Sequence, residues 1–384
     1  MVSNLQKTPR YAEFFCGGGM VRAALDGVWD CVLANDIDPE KCMSYAENWG
    51  GSALVQGDVA ALAASHLHQP IDLYWASSPC QDFSLAGKGL GLRGARSGVF
   101  DVWISKVQDA VASGFAPKII AFENVVGLLS RKSGADFTHV VRALSALGYQ
   151  VGALEIDAKV FLPQSRPRLF VIAVRADIDV SGMLDDQPSG LFHTAKVQKY
   201  MATAPRDIKK SWCWWRHAQP DVQIASLASV LVDAPDTRWL DRREVANLVS
   251  MMSAPSLGRL AQAKASGSPE VCTIYKRGRP DASGIVRQRA ELRFDGFAGC
   301  LRTPAGGSSR QTILLVEGTQ LRARLLSSRE VARLMGLPET YKLPPRYNQT
   351  YKLAGDGVAV PIVQYLDQVI FQAALAAKSK QAAA

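Results

Sequence analysis

The chain of 384 residues is long enough for one large domain, or for a large domain that carries a smaller one. Hydrophobic residues make up 48% of it and charged residues 21%, which excludes disordered, collagen-like and coiled-coil classes for most of the chain. Apolar runs such as Ile119–Phe122 are far shorter than the roughly 20 residues that cross a bilayer, so we expect no membrane span. The polar start, Met1–Arg10, lacks the apolar core of a secretory signal and predicts a cytoplasmic protein.

The net charge of +9 suits a polyanionic partner, and its distribution is uneven. More than half of it lies between Thr273 and Arg310, where eight basic residues stand against three acidic ones. The basic residues are Lys276, Arg277, Arg279, Arg287, Arg289, Arg293, Arg302 and Arg310, and the acidic ones are Asp281, Glu291 and Asp295. Charge alone leaves a solvated face and a nucleic-acid surface equally open.

The seven cysteines are scattered and contain no CxxC pair, which argues against a disulfide framework and against a zinc site. We therefore expect no metal. They are Cys16, Cys31, Cys42, Cys80, Cys213, Cys272 and Cys300. Small buried hydrophobic residues are the ordinary interpretation of free cysteines, and we expect it to hold for all of them except Cys80.

From residue 10 to about residue 178, short β-rich runs alternate with amphipathic stretches. The predicted strands are Tyr11–Phe15, Cys31–Asp36, Ala53–Gln56, Ile71–Ala76, Lys118–Phe122, Gly152–Val160 and Leu169–Val174. The helical patterns between them include Met20–Leu25, Val99–Ser113 and Asp136–Leu147. Alternation of this kind predicts an α/β fold, a Rossmann-like and mainly parallel sheet with helices on both faces.

The pattern changes after Ile178, where Asp179 to about Thr319 has no βαβ rhythm and predicts a second, smaller domain. It contains the cluster Trp212-Cys213-Trp214-Trp215, for which core packing is favoured over contact with bases. Regular structure returns with helices predicted at Ser328–Met335 and Pro361–Ala377. The expected division is therefore a first catalytic part over 9–178, the smaller domain over 179–319, a closing catalytic part over 320–377 and a tail over 378–384.

A glycine turn, Gly17-Gly18-Gly19, joins the first strand to the first helix. Such a turn lets the backbone approach a nucleotide-type cofactor and directs helix N–H groups at it. The next two strands end at Asp36 and Asp58, where a ribose hydroxyl and an adenine amino group are held in folds of this type. Each acid alone is explained as a loop cap, but the two together favour a cofactor site.

Cys80 lies just beyond the fourth strand, after Ser78-Pro79 and before the glycine-rich basic stretch 81–97. Sheets of this type bind ligands beyond the carboxyl ends of their strands, so this position favours a nucleophile over a packing residue. Glu123 ends the fifth strand, and Arg166 and Arg168 precede the seventh. The same winding brings a thiol, a carboxyl and two guanidiniums towards one crevice.

These motifs together resemble the DNA (cytosine-5)-methyltransferase family of bacterial or phage, restriction-modification-like type. The resemblance runs from Tyr11 to about Val174 and again from about Arg324 to Phe371. Six motifs appear in the family's order, which is very specific. They are Phe15-Cys16-Gly17-Gly18-Gly19, Pro79-Cys80-Gln81, Glu123-Asn124-Val125, Gln164-x-Arg166-x-Arg168, Arg329-Glu330-x-Ala332-x-Leu334-Met335-Gly336-Leu337-Pro338 and Tyr351-Lys352-x-x-Gly355-Asp356-Gly357-Val358.

The resemblance implies a role for each matching residue. Cys80 attacks C6 of cytosine as a thiolate, Glu123 holds the N3 edge of the base, Arg168 donates to O2, and Arg166 positions the region of Cys80. The implied cofactor is S-adenosyl-L-methionine, held by Phe15, Gly17, Gly19, Asp36, Ile37, Asp58, Pro79, Asp356 and Gly357. The implied DNA contacts are Gln81, Ser84, Lys88, Arg93, Arg96, Arg302 and Arg310, with 81–97 closing over a flipped base.

The resemblance also implies that the inserted domain recognises a sequence of double-stranded DNA, on which the chain acts as a monomer. A restriction endonuclease that acts separately is a partner that the resemblance leaves open. Two departures from the family matter: Met20 stands where a further glycine continues the turn, and Asp356-Gly357 replaces the more usual Asn-Ser pair. We expect activity to survive the second departure because backbone groups do most of the holding.

Two alternatives remain open at the level of the sequence. The first is the same chemistry on RNA, since a close branch of the family modifies transfer RNA. The roughly 140 residues of the intervening region favour duplex DNA, because that branch has a short one. The second is a catalytically silent DNA-binding subunit, which the presence of the nucleophile, the carboxyl and both arginines disfavours.

Overall fold

A computed structural model describes residues 7–78, 98–233, 235–280, 283–303 and 310–378. The chain forms two compact units. Unit 1 contains residues 1–156, 167–221 and 360–384, and unit 2 contains residues 157–166 and 222–359. The chain therefore passes into unit 2 for ten residues between two strands of unit 1, before it enters unit 2 again at Val222.

Unit 1 is built on a seven-stranded sheet in the order β3-β2-β1-β4-β5-β7-β6. Its strands are β1 (Arg10–Phe14), β2 (Asp30–Asp36), β3 (Leu54–Gln56), β4 (Leu73–Ser77), β5 (Ile119–Val125), β6 (Tyr149–Asp157) and β7 (Pro167–Arg175). Its helices are α1 (Met20–Leu25), α2 (Pro39–Trp49), α3 (Val99–Ala112), α4 (Ala135–Ala146), α5 (Ala195–Thr203) and α6 (Arg206–Ser211). The central strands are buried along nearly their whole length, as expected for a sheet covered on both faces.

The predicted mainly parallel sheet is confirmed, with one difference. Strand β7 runs antiparallel to β5, from Ile119 opposite Val174 to Val125 opposite Arg168. The cause is the connection from β6 to β7, residues 158–166, which holds only one short 3₁₀ turn. A parallel crossover needs a dozen or more residues, usually with a helix, so this connection is too short for one.

Unit 2 contains a four-stranded sheet in the order β11-β10-β8-β9, antiparallel at each pairing. Its strands are β8 (Glu270–Pro280), β9 (Val286–Arg293), β10 (Thr312–Glu317) and β11 (Gln320–Leu325). The helices of this unit are α7 (Leu227–Val230), α8 (Arg242–Ser250), α9 (Ala254–Ala265), α10 (Ser328–Leu334) and α11 (Tyr347–Asp356). A separate apolar core forms between this sheet, α8 and α9.

The compact units do not follow the boundaries expected at residues 178 and 319. Residues 179–221 belong to unit 1 because the tryptophan cluster packs on its sheet: the Cys213 N–H donates to the Val151 carbonyl, and Trp215 Nε1 donates to the Ile172 carbonyl. The predicted core role of this cluster is confirmed, because Trp215 is completely buried and Trp212 and Trp214 are partly buried against the core of unit 1. Residues 320–359 belong to unit 2 because β11 pairs with β10, which in turn pairs with β8.

The predicted C-terminal helix is interrupted within unit 1. It consists of α12 (Val360–Leu366), a π-helical turn (Asp367–Phe371) and α13 (Gln372–Ala376). The buried Asp367 carboxylate accepts hydrogen bonds from Trp29 Nε1 at 2.8 Å and from Gln372 Nε2 at 2.9 Å at this turn. Among the described residues, one helical stretch, Tyr347–Ala376, is long and apolar enough to cross a membrane by length and composition, and 61% of its most apolar part is buried inside the protein.

Candidate active site

The glycine turn that follows β1 has the conformation that its sequence predicts. Phe15, Gly17 and Gly19 all have positive φ angles, of 59°, 56° and 78°. Two features exclude a side chain at Gly19: its positive φ, and the fact that an added Cβ atom would lie 2.5 Å from Trp49 Nε1. Phe15 is a bulky residue in the left-handed region, a strained conformation that proteins retain mainly at functional sites. The turn therefore holds its backbone and the Phe15 ring in one fixed arrangement at the start of α1.

Asp36, at the end of β2, fixes the glycine turn from the neighbouring strand. Its Oδ2 accepts from the Gly17 N–H and its Oδ1 from the Asp38 N–H, both at 2.8 Å. Asp58, one strand further along, is exposed and accepts from the Ala60 N–H at 2.9 Å. The two acids predicted to hold the cofactor are therefore also caps of their loops, and each oxygen keeps further lone pairs for a ligand.

Six predicted cofactor residues lie at the carboxyl edge of three adjacent strands of unit 1. They are Phe15, Gly17 and Gly19 after β1, Asp36 and Ile37 at the end of β2, and Asp58 after β3. Ile37 exposes 64% of its surface, which is unusual for an isoleucine beside a buried strand. Exposed apolar surface next to an exposed carboxylate and a glycine turn is the set of groups that a nucleoside-type cofactor requires.

The strand that leads to Cys80 is tied to the Glu123 motif by a buried hydrogen bond. Asn124 Nδ2 donates to the Ser78 carbonyl at 3.0 Å, and Asn124 Oδ1 accepts from the Val125 N–H at 2.9 Å. Asn124 lies within the motif Glu123-Asn124-Val125, but its residue type alone does not predict this role. The predicted residues Pro79, Cys80, Gln81, Ser84, Lys88, Arg93 and Arg96 lie outside the described residues.

Glu123 and Arg168 form an ion pair between the adjacent strands β5 and β7. Glu123 Oε1 lies 3.1 Å from Arg168 Nε, and the two side chains expose only 7% and 13% of their surface. The antiparallel register places Val125 opposite Arg168, so the two charged residues are diagonal neighbours on one face of the sheet. The structure therefore brings together the two groups that were predicted to hold the edge of a base.

Arg166 lies in unit 2 and is buried, with 1% of its surface exposed. Its guanidinium donates to the carbonyls of Leu301 at 3.0 Å, Gly355 at 2.8 Å and Gly357 at 2.6 Å. The predicted role of Arg166 in positioning the region of Cys80 concerns residues outside the described part of the chain and stays a prediction. The described contacts of its guanidinium are with the backbone on either side of Asp356. We therefore describe Arg166 as a positioning residue of the Gly355–Gly357 segment.

The Gly355–Gly357 segment packs tightly against residues 302 and 303 within unit 2. A Cβ at Gly355 would lie 2.3 Å from the Thr303 nitrogen, and Asp356 Oδ1 accepts from Thr303 Oγ1 at 2.5 Å. The predicted DNA contact Arg302 is exposed. The other one, Arg310, donates to Asn348 Oδ1 at 2.5 Å, and its Cζ lies 5.7 Å from the Tyr347 ring centroid.

A buried glutamine, Gln164, for which the sequence predicted no role, also holds this region. The Gln164 side chain is fully buried, and it accepts from the Leu301 N–H at 3.3 Å and donates to the Leu334 carbonyl at 2.5 Å. Its partners lie 137 and 170 residues away in the sequence. Its place two residues before Arg166 in the motif was the only signal of this role.

Four of the described cysteines have raised thiol pKa values and are therefore poor nucleophiles. Burial raises the pKa of the Cys42 thiol to about 11 and that of Cys272 to about 12. Burial also raises the pKa of Cys16, well above the ordinary range, and that of Cys31. A thiol must ionise to act as a nucleophile, so these four are packing residues, as predicted.

Known proteins with similar sequences are methyltransferases. Type II methyltransferase M.HhaI of Haemophilus parahaemolyticus is 26% identical over 361 residues, which cover 93% of this chain and 92% of that protein. Type II methyltransferase M.Eco47II of Escherichia coli is 31% identical over 169 residues, which cover 43% of this chain and 39% of the relative.

Solved structures of methyltransferases share the fold of this chain. At these sequence identities the likeness concerns the fold alone. The Dnmt2 methyltransferase of S. pombe matches with a TM-score of 0.57 at 19% identity, over 95% of this chain and 98% of that one. A DNMT2 mutant of Spodoptera frugiperda matches with a TM-score of 0.59 at 16% identity, over 94% of this chain and 99% of that one. The family model of C-5 cytosine-specific DNA methylases matches residues 10–372, so the chain belongs to this family and is, as its sequence predicts, a DNA (cytosine-5-)-methyltransferase.

Proposed function

We propose that the chain methylates C5 of a cytosine that is flipped out of a specific sequence in duplex DNA, through a covalent bond between Cys80 and C6. The observation that carries this proposal is the buried pair of Glu123 and Arg168, 3.1 Å apart at the carboxyl end of β5. Cytosine presents an acceptor at O2 and another at N3 on the edge that would pair with guanine. A guanidinium and a protonated carboxyl placed side by side supply the two matching donors.

The C5 position of cytosine is too weak a nucleophile to react unaided. Covalent addition of a thiolate at C6 raises the nucleophilicity of C5. The Cys80 thiolate adds to C6, electron density moves to C5, and the developing charge on N3 and O2 is stabilised by Glu123 and Arg168. After methyl transfer the C5 proton leaves, the C5–C6 double bond forms again, and the Cys80 thiolate is expelled. The buried position of the ion pair strengthens its hydrogen bonds to the base, since little water competes there.

The cofactor supplies an electrophilic methyl group on a sulfonium centre. Phe15 and Ile37 provide apolar surface for its adenine ring, and Asp36 and Asp58 provide acceptors for its hydroxyl and amino groups. Gly17 and Gly19 let the backbone approach closely. Asp356 and Gly357 are further candidates from unit 2, held by Arg166. The residues present therefore fit S-adenosyl-L-methionine.

Flipping is required because both C5 and C6 are inaccessible to these groups in a stacked duplex, and it costs a few kcal/mol. The residues proposed to contact DNA around the flipped base are Gln81, Ser84, Lys88, Arg93, Arg96, Arg302 and Arg310. We propose that the chain acts on duplex DNA as a monomer. A restriction endonuclease with the same recognition sequence would act separately.

The test is transfer of a labelled methyl group from S-adenosyl-L-methionine to duplex DNA, with transfer RNA as the competing substrate. We expect label on DNA, no label with Cys80→Ser, and full activity with the matched control Cys31→Ser at the start of β2. Duplex DNA that contains 5-fluorocytosine should trap the wild-type chain covalently, because fluorine cannot leave as the proton does. Label on RNA alone, or an active Cys80→Ser variant, would refute the proposal.

A further inference from the structure

Strands β8 and β9 extend beyond the rest of their sheet as a two-stranded ribbon. Strand β10 pairs with β8 only as far as Ile274, whereas β9 pairs with β8 from Thr273 to Pro280. We call residues 275–280 and 286–291 the arginine ribbon. On the outer side of β9, an isolated bridge joins Ala290 to Met252 near the base of the ribbon.

One face of the arginine ribbon carries all four of its arginines. Successive residues of a strand point to opposite faces, and the register places Tyr275 opposite Glu291, Arg277 opposite Arg289 and Arg279 opposite Arg287. These six residues therefore share a face. The other face presents Lys276, Gly278, Pro280, Val286, Gln288 and Ala290. Four of the basic residues that give this segment its excess charge therefore form a two-by-two array of guanidiniums on one face of the ribbon.

This array does not stabilise the sheet, because like charges directly opposite each other on a sheet repel. Arg277 and Arg279 keep 44% and 52% of their side chains exposed, so neither is buried by the protein. Arg279, Arg289 and Glu291 also line a surface cavity of about 440 Å³. Arg287 is also exposed and Arg289 is half-buried, so the array is open to solvent and complementary to a polyanion. The width of a two-stranded ribbon matches the DNA major groove.

Two of the arginines are held in fixed orientations. Arg279 Nε donates to Glu291 Oε1 at 2.8 Å, and Arg277 Nε lies 3.4 Å from Glu291 Oε2. The Arg277 guanidinium also lies over the Tyr275 ring, 4.8 Å from its centroid. Fixed guanidinium forks suit bidentate contacts to O6 and N7 of guanine, whereas phosphate contacts need charge alone.

We propose that the arginine ribbon enters the major groove of the substrate duplex, where Arg277 and Arg279 read guanine and Arg287 and Arg289 hold phosphates. This inference rests on the proposed function, since it assumes duplex DNA as the substrate. Glu291 is then a positioning residue: it orients both reading arginines although its own charge repels DNA. The ribbon is accordingly a determinant of the recognition sequence.

The first experiment maps methylation. Plasmid DNA of known sequence is methylated by each purified variant and then sequenced after bisulfite treatment. Arg277→Lys/Arg279→Lys keeps the charge but removes the forks, so we expect methylation at sites that differ from the wild-type sequence at a guanine, with discrimination lower by about tenfold or more. Arg242→Lys/Arg243→Lys, an exposed pair on α8 in the same unit, is the matched control and should keep the wild-type map. An unchanged map for the ribbon variant would overturn the reading role.

The second experiment separates charge from orientation. If Glu291 acts only through its charge, Glu291→Gln tightens binding to every duplex and leaves the methylation map unchanged, which would overturn its positioning role. If it orients the forks, the same variant relaxes the map as well. For Arg287→Gln/Arg289→Gln we expect weaker binding to all sequences, with a salt slope reduced by about 0.9 for each phosphate that the variant no longer binds. An unchanged slope would overturn the phosphate role.

The third experiment separates this inference from the proposed function. Binding of the chain to a labelled random-sequence duplex is measured by fluorescence anisotropy without S-adenosyl-L-methionine. If the chain binds this duplex through the ribbon but methylates no DNA, the proposed function is refuted and the role of the ribbon is not. If the chain methylates DNA and the ribbon variants behave like wild type, only the proposed role of the ribbon is refuted. Equal affinity for a duplex RNA would also overturn the proposed entry of the ribbon into the major groove, because the A-form major groove is too narrow for a two-stranded ribbon.

Discussion

Glu123 and Arg168 are diagonal neighbours on antiparallel strands, with 3.1 Å between Oε1 and Nε and both side chains largely removed from water. A buried pair of this kind gains little stability, because the cost of removing both charges from water offsets their attraction. The proposed chemistry on a bound base would account for such a pair at a strand end, next to the strand that leads to Cys80.

For Glu123→Gln we expect kcat for methyl transfer to fall by about 100-fold or more, because the amide cannot supply a proton to N3 as charge develops. The fold should survive, since Gln keeps the shape of the side chain and its acceptor for Arg168. The measurement is steady-state transfer of labelled methyl groups at saturating DNA and cofactor, with thermal unfolding as the control for folding. Wild-type kcat in the Glu123→Gln variant would show that the carboxyl has no part in the reaction.

Arg166→Lys should damage stability more than catalysis. The buried guanidinium satisfies three carbonyls at once, and a lysine ammonium cannot span them, so we expect a loss of about 3 kcal/mol or more in the free energy of unfolding. The matched comparison is Arg168→Lys, which keeps the charge beside Glu123 and should lower kcat with a smaller loss of stability. Denaturant unfolding of both variants checks this, and the opposite order would contradict the positioning role.

The sequence predicted the carboxyl ends of five of the seven strands to within one residue, because these ends depend on local patterns. The predictions for β5 and β6 were wrong by three residues: β5 runs on to Val125, and β6 stops at Asp157, where a 3₁₀ turn begins. A run such as Leu73–Ser77 is apolar along most of its length, and the residues just beyond each strand carry the polar signals of the site. The parts that it did not predict depend on distant pairings. The partners of Arg166 lie 135 to 191 residues away, and the assignment of residues 179–221 to unit 1 depends on tryptophans that pack against β6 and β7. Local propensity carries no information about either.

Gly355→Ala should destabilise unit 2 because the added Cβ would lie 2.3 Å from the Thr303 nitrogen and 2.7 Å from the Arg302 carbonyl carbon. Both neighbours are backbone atoms, so the strain cannot be relieved by rotating a side chain. We expect a lower melting temperature and weaker binding of S-adenosyl-L-methionine. Gly258→Ala is the matched control: it lies within α9 with no atom near its Cβ position, and it should gain up to about 1 kcal/mol of stability.

Asp356→Asn tests the departure from the family at this position. The Asn Oδ1 can accept the same hydrogen bond from Thr303 Oγ1, so we expect stability and cofactor affinity within about twofold of wild type, equivalent to less than about 0.5 kcal/mol. Asp356→Ala removes the acceptor and should lower both. Calorimetric titration with S-adenosyl-L-methionine gives the affinities. A strong gain in affinity or activity for Asn would show that the native carboxylate opposes the cofactor.

His193 should make the protein less stable as the solution becomes acidic. Burial, together with the neighbouring His217, lowers the pKa of His193 from 6.5 to about 4, and its Nδ1 accepts the Ser189 N–H at 3.1 Å in the neutral ring. Between pH 6.5 and pH 4 the unfolded chain binds the proton and the folded chain does not, so stability falls as the pH is lowered through this window. The loss reaches up to about 3 kcal/mol near pH 4.

His193→Asn keeps an acceptor for Ser189 without titrating, and it should flatten the dependence of the melting temperature on pH in this window. A wild-type slope in His193→Asn would assign the acid sensitivity to other groups.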